Sequence, residues 1–166
     1  MNDRDVAALL EAGGMATADG TPAKYNALAD PAGAEDLARR LAEQARALEP
    51  SVVIVWEDPE DAILGHVVAR ELGVRAVRAW NADGLVGQSG PLQSGDRALL
   101  VLDAVRDPRS VLAVHGVVAR DGGTLVGTAV LTATDALDEA RADLDAGRLI
   151  SLTDARSTIE ERGGTH

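Results

Sequence analysis

Two short stretches of this chain carry residue types that could handle a charged ligand. The first, Arg106, Asp107, Pro108, Arg109 and Ser110, follows an apolar run, Ala98 to Leu102, that ends in Asp103. A strand, a short loop and then a helix is an arrangement in which first-turn amides point at an anion. Loops that hold phosphate this way usually use glycine, which lets the ligand approach the backbone. This loop has no glycine, and Pro108 has no amide to donate. Two chemistries are open to it. Arg106 and Arg109 can bind a phosphate through their guanidinium groups. Asp107 can instead accept hydrogen bonds from the helix start, so that its carboxylate stands in for an anion. A phosphate beside Asp107 would meet about 4 kcal/mol of repulsion per unit charge at an effective dielectric near 20.

The second stretch is Glu57, Asp58, Pro59, Glu60 and Asp61, four acids around one proline. Four carboxylates oppose any phosphorylated ligand unless a cation intervenes, whereas at a helix start they favour the helix dipole. Asp58, Asp61 and Asp103 are candidate ligands for Mg²⁺, which prefers oxygen donors. His66 and His115 fall within helical patterns on separate segments and read as packing or surface residues.

The elements that must position these stretches alternate along the chain. "LARRLAEQARAL", Leu37 to Leu48, has helical spacing, and "SVVIVW" is a buried strand followed by the helical "EDAILGHVVAREL". "VRAVRAW" alternates as a strand, and the glycine-rich residues Asn81 to Gly95 read as one long loop. "RALLVL", "SVLAVHGVVARDG" and "TLVGTAVLTA" then read as strand, helix and strand. "ATDALDEARADLDAG" reads as a helix, "RLISL" as a short strand and "TDARSTIEER" as a terminal helix. Such alternation predicts an α/β fold, a mostly parallel sheet with helices on both faces. Ligands of such sheets bind outside the carboxyl ends of the strands. Asp30-Pro31, Asp58-Pro59 and Asp107-Pro108 each precede a helical pattern, with Asp as the cap and Pro at the first helical position.

Composition narrows the function classes. The 166 residues fit one domain, and with aromatics at only 2% the core is built from Val, Leu, Ile and Ala. Cysteine is absent, which suits a reducing cytoplasm and excludes thiolate metal sites. A formal net charge of -11 repels the nucleic-acid backbone, so no nucleic acid is expected as a partner. No apolar run is long enough to span a membrane.

In order and spacing these segments resemble a type I phosphoribosyltransferase, most of all an orotate phosphoribosyltransferase, from about Leu9 to Leu152. "KYNALADPAGAEDLARRLAE" is similar to the N-terminal segment and first long helix of that family. "SVVIVWEDPEDAILGHVVARELGV" resembles its strand, pyrophosphate loop and helix, and "SGDRALLVLDAVRDPRSV" stands at its phosphoribosyl pyrophosphate motif. The resemblance implies one domain, with residues 1–30 as a small N-terminal hood segment and 31–166 as the α/β core. It places Glu57, Asp58, Glu60 and Asp61 at the pyrophosphate loop, and Arg106 to Ser110 at the 5′-phosphate loop. Lys24 and Tyr25 fall near the base-binding side.

The departures from the family pattern are concerted. Leu102 stands at the first of two acids that hold the ribose, leaving Asp103 as the candidate catalytic position. Both phosphate loops lack the family's glycines, and Asn81 to Gly95, at the mobile lid, contains no Lys, Arg or His. The expectation is a phosphoribosyltransferase-like protein that has lost normal transfer and acts by binding or association, as a homodimer or with an active relative. Two alternatives stand beside it. One is an active transferase of altered specificity, with Arg106 and Arg109 on the 5′-phosphate and Mg²⁺ at the acids. The other is a module for a small molecule or a cation.

Overall fold

Three Asp-Pro pairs punctuate the chain, and each starts a helix in the way its chemistry predicts. The computed structural model describes residues 5–15, 17–18, 21–142 and 147–154. The chain opens with α1 (Val6–Ala12) and a small antiparallel pair, β1 (Thr17–Ala18) and β2 (Thr21–Pro22). Then come α2 (Pro31–Ala45), β3 (Val52–Val55), α3 (Pro59–Leu72), β4 (Arg75–Ala82) and β5 (Leu85–Gln88). The remainder is β6 (Arg97–Ala104), α4 (Pro108–Arg120), β7 (Thr124–Ala133), α5 (Asp135–Ala142) and β8 (Arg148–Asp154). Asp30, Asp58 and Asp107 cap α2, α3 and α4 by accepting from Gly33, Glu60 and Arg109 amides at 3.1, 3.2 and 3.0 Å.

The six-stranded sheet runs β5-β4-β3-β6-β7-β8, parallel except for β5. Alternate residues of the strands feed two separate cores. Val53, Val55, Leu99, Val101, Ala129 and Leu131 face one way, against Leu37 and Leu41 of α2 and Leu64 and Val68 of α3. Val52, Ile54, Leu100, Leu102 and Val130 face the other way, against Val111 and Val114 of α4 and Leu137 of α5. The period-2 alternation of a strand therefore puts helices on both faces, as the sequence predicts. Among the described residues, no helix is long and apolar enough to cross a membrane.

Two expectations need correction. Asn81 to Gly95 is not one long loop: β4 runs on to Ala82 and turns back antiparallel as β5. Asp83 and Gly84 make the turn with φ of 52° and 85°, the left-handed pair that a two-residue hairpin requires. Inside this hairpin Trp80 packs over Gly87, where an added Cβ would lie 2.5 Å from the indole, and Arg78 stacks on the same ring at 5.6 Å. Thr153 and Asp154, expected to open a terminal helix, instead extend β8 along Thr132 and Ala133 of β7. The rest of that expected helix lies outside the described residues.

β3 and β6 lie side by side in parallel register, Val55 opposite Val101. Because α3 and α4 leave on opposite faces, the two loops diverge at the sheet's carboxyl edge and open a crevice between them.

Candidate functional site

That crevice is a cleft of about 490 Å³, lined by both phosphate-loop positions, by Lys24 and by Asn81, Gly84 and Val86 of the hairpin. At the helix start after β6 the Arg109 and Ser110 amides are taken up by Asp107 itself. Asp107 takes the Arg109 amide at 3.0 Å, and the Ser110 hydroxyl donates to the Asp107 carbonyl at 2.8 Å. Pro108 occupies the first helical position and supplies no donor. The Arg109 guanidinium folds onto the same carboxylate, Nε lying 3.0 Å from both oxygens. These bonds from Arg109 hold Asp107 below the usual carboxylate range, so it stays ionised at the helix start.

Arg106 turns inward. It grips Asp103 with both terminal nitrogens, at 2.8 and 2.9 Å, and donates to the Ala23 carbonyl at 2.9 Å. Asp103 is only 3% exposed and also accepts from the Tyr25 and Ala104 amides, at 2.9 and 2.6 Å. One guanidinium and two amides thus surround the Asp103 carboxylate. The segment Ala23 to Tyr25 is fastened across the ends of β3 and β6, with Lys24 paired to Asp58 as a third tie.

The acids of the other loop have separate fates. Asp58 caps α3 and meets Lys24; burial pushes its pKa up, but bonds from Glu60, Lys24 and the Glu60 amide outweigh this and leave it lowered. Glu60 moves the opposite way, held protonated more readily by its contact with Asp58. Glu57 lines the cleft. Asp61 lies on the buried stripe of α3 with Leu64, Gly65 and Val68, and its Oδ1 accepts from the Asp103 amide at 2.8 Å. Burial first, and the Asp103 charge second, push Asp61 up to about 8. At neutral pH it is therefore mostly a neutral carboxylic acid.

The metal expectation is corrected by this arrangement. Among the described residues no group of three acids or histidines is placed to hold a metal ion, Asp58, Asp61 and Asp103 included. The oxygens of Asp103 are spent on Arg106 and amides, and those of Asp58 on its cap and Lys24, so this donor set does not fit resident Mg²⁺. Of the base-side pair, Lys24 lines the cleft, but the Tyr25 ring is fully buried, packed so close to Gly13 that a Cβ there would lie 1.9 Å away. Among the described residues, Tyr25 bonds to the site through its amide, which donates to Asp103. His66 and His115 do not line this cleft.

Sequence reasoning missed the part played by Asp61 as a buried carboxyl bridging two elements. Its signal was present: positions 61, 64, 65 and 68 share one helical face with the core leucine and valine. Trp56, Asn81 and Val86, which complete the walls, were recognisable only as members of strand ends or of a loop.

This sheet order, with helices on both faces and the crevice at the β3/β6 switch, is the architecture of the type I phosphoribosyltransferase fold. Solved structures bear this out. Orotate phosphoribosyltransferase from Aeropyrum pernix superposes with a TM-score of 0.73 at 18% identity, covering 98% of this chain and 100% of that one. The Mycobacterium tuberculosis H37Rv orotate enzyme, in complex with inorganic phosphate, gives 0.68 at 21% identity over 91% and 88% of the two chains. Adenine phosphoribosyltransferase from Leishmania donovani gives 0.70 at 15% identity, over 92% and 80%. The likeness is one of fold and extends equally to orotate and adenine enzymes. No protein-family model matches the chain, and no curated protein matches it.

Proposed function

We propose that this chain is a phosphoribosyltransferase-fold binding protein, related to the orotate enzymes, that does not transfer from phosphoribosyl pyrophosphate. The observation that carries this reading is the internal occupation of the 5′-phosphate position: Asp107 and Arg109 fill the start of α4 with their own ion pair. Arg106, which an active enzyme of altered specificity would need for phosphate, is instead held by the buried Asp103, and Arg109 pairs with Asp107 at the surface. The hairpin at the lid position, Asn81 to Gln88, carries no cation to neutralise departing pyrophosphate.

The test is calorimetric titration with phosphoribosyl pyrophosphate, with and without Mg²⁺, together with pyrophosphate release in the presence of orotate or adenine. No heat at millimolar ligand and no release are expected. Saturable micromolar binding, about 8 kcal/mol, or measurable pyrophosphate release overturns the reading. The proposed working unit is a homodimer or a pair with an active relative; Leu28, 74% exposed beside apolar Pro31, Ala62 and Ile63, favours association. Sedimentation velocity checks this, a concentration-independent monomer excluding self-association.

A further inference from the structure

The dipeptide Asp-Gly brings a carboxyl within reach of an amide nitrogen that no Cβ crowds, because the following residue is glycine. It occurs at Asp19-Gly20, Asp83-Gly84 and Asp121-Gly122. The first lies outside the described residues, and the structure treats the other two very differently. Asp121 is tied from both sides: Arg120 Nε donates to one oxygen at 2.8 Å and Gln88 Nε2 to the other at 2.9 Å. The Gly122 amide donates to the Ala119 carbonyl at 3.1 Å, its carbonyl accepts from Gly95 at 2.8 Å, and Ser94 closes over it. Asp83 and Gly84 are exposed at the tip of the β4–β5 hairpin. The Asp83 carboxylate has no hydrogen bond or ion pair to a described residue, and no atom lies within 4 Å of the space beside Gly84. Asp83 also sits at φ 52°, a conformation that disfavours a residue with a side chain, so leaving the turn relieves strain. The one restraint on the nucleophile is Asn81, whose Oδ1 accepts from the Gly84 amide at 3.0 Å.

We propose that Asp83-Gly84 is a site of spontaneous backbone modification, the conversion of Asp83 to isoaspartate. The carboxyl takes a proton from solvent, and the Gly84 nitrogen attacks its carbon. The amide proton leaves with one carboxyl oxygen as water, and a five-membered succinimide closes. Water then opens the ring. Cleavage of the bond from nitrogen to the side-chain carbonyl restores aspartate; cleavage at the main-chain carbonyl leaves the chain running through the side chain. One water is released and one consumed, and the proton returns to solvent. The rate follows how readily each tip opens, which its tertiary ties set.

The product adds one carbon to the main chain inside a two-residue turn whose geometry is specific. The pair Ala82 and Leu85, which closes the hairpin, is displaced first. Asn81, Gly84 and Val86 line the cleft, so the modification loosens one of its walls whatever the cleft binds.

The test holds the full chain at pH 7.4 and 37 °C for several weeks. Proteolytic peptides are then read by electron-transfer fragmentation, which places isoaspartate residue by residue. Accumulation at residue 83 roughly tenfold faster than at 121 is expected. In guanidinium chloride the two pairs should react within a few-fold of each other, because the ties on Asp121 are gone. Hydrogen exchange at Ala82 and Leu85 should quicken in the aged protein and stay unchanged in aged Asp83→Glu, whose side chain would need a larger ring. Equal accumulation at 83 and 121 in the folded chain overturns the proposal, as does the same tenfold difference persisting in denaturant. Hairpin exchange that quickens equally in Asp83→Glu overturns the link from the modification to the cleft wall.

Discussion

Replacing Asp61 with asparagine exchanges one oxygen for an amide nitrogen and keeps the acceptor for the Asp103 amide, yet it should remove a fall in stability with rising pH. In the folded chain Asp61 titrates at about 8, against an ordinary value of 3.8. Between those values the folded state holds a proton that the unfolded state has released. Stability therefore falls as pH rises through this window, by about 1.4 kcal/mol per unit, and the effect is complete above the folded value. Between pH 5.5 and 7.5 the unaltered protein should lose roughly 2.5 kcal/mol relative to Asp61→Asn. For a chain of this size that corresponds to roughly 5–10 °C in Tm. Urea unfolding of both proteins at several pH values, read by far-UV circular dichroism, measures the difference directly. Groups common to both, including the lowered Asp58, Asp96, Asp107 and Asp121, cancel in the comparison. Asp61→Asn should be the more stable protein at pH 8.5. Parallel stability profiles would refute the reasoning, because they would mean that Asp61 is ionised at no cost in the folded state.

Further substitutions test the remaining contacts. Arg106→Ala leaves the buried Asp103 with only two amide donors and should destabilise by about 3 kcal/mol, read as a lower urea midpoint; a loss under 1 kcal/mol would show that the pair is not formed in solution. Asp107→Ala removes the cap of α4 and should cost about 1 kcal/mol. It should not create tight phosphate binding, since Pro108 still contributes no donor; inorganic phosphate titrated calorimetrically checks this. Gly65→Ala would set its Cβ 2.0 Å from Val55 Cγ1, where α3 crosses β3, and the overpacking should cost about 1–3 kcal/mol in thermal unfolding.

The chain's local chemistry determined much of the fold. Apolar runs such as Val52–Val55 and Leu99–Leu102 mark central strands, and three Asp-Pro pairs mark helix starts. Both signals involve neighbours within four residues, so they can be read without a partner. The filling of α4's first turn by Asp107 was legible for the same reason. The hairpin of β4 and β5 was also written locally, in Asp83-Gly84, but the surrounding glycines obscured it. What only the tertiary structure decided are the matters that depend on distant neighbours. Arg106 could have faced a ligand; the Ala23 carbonyl and the buried Asp103 drew it inward instead. The four acids of the α3 loop look alike in sequence, yet Asp58 is held ionised by its bonds with Glu60 and Lys24 while Asp61 keeps its proton. A carboxyl's charge depends on its solvent and on the charges within a few ångströms, and packing between segments far apart in the chain sets both.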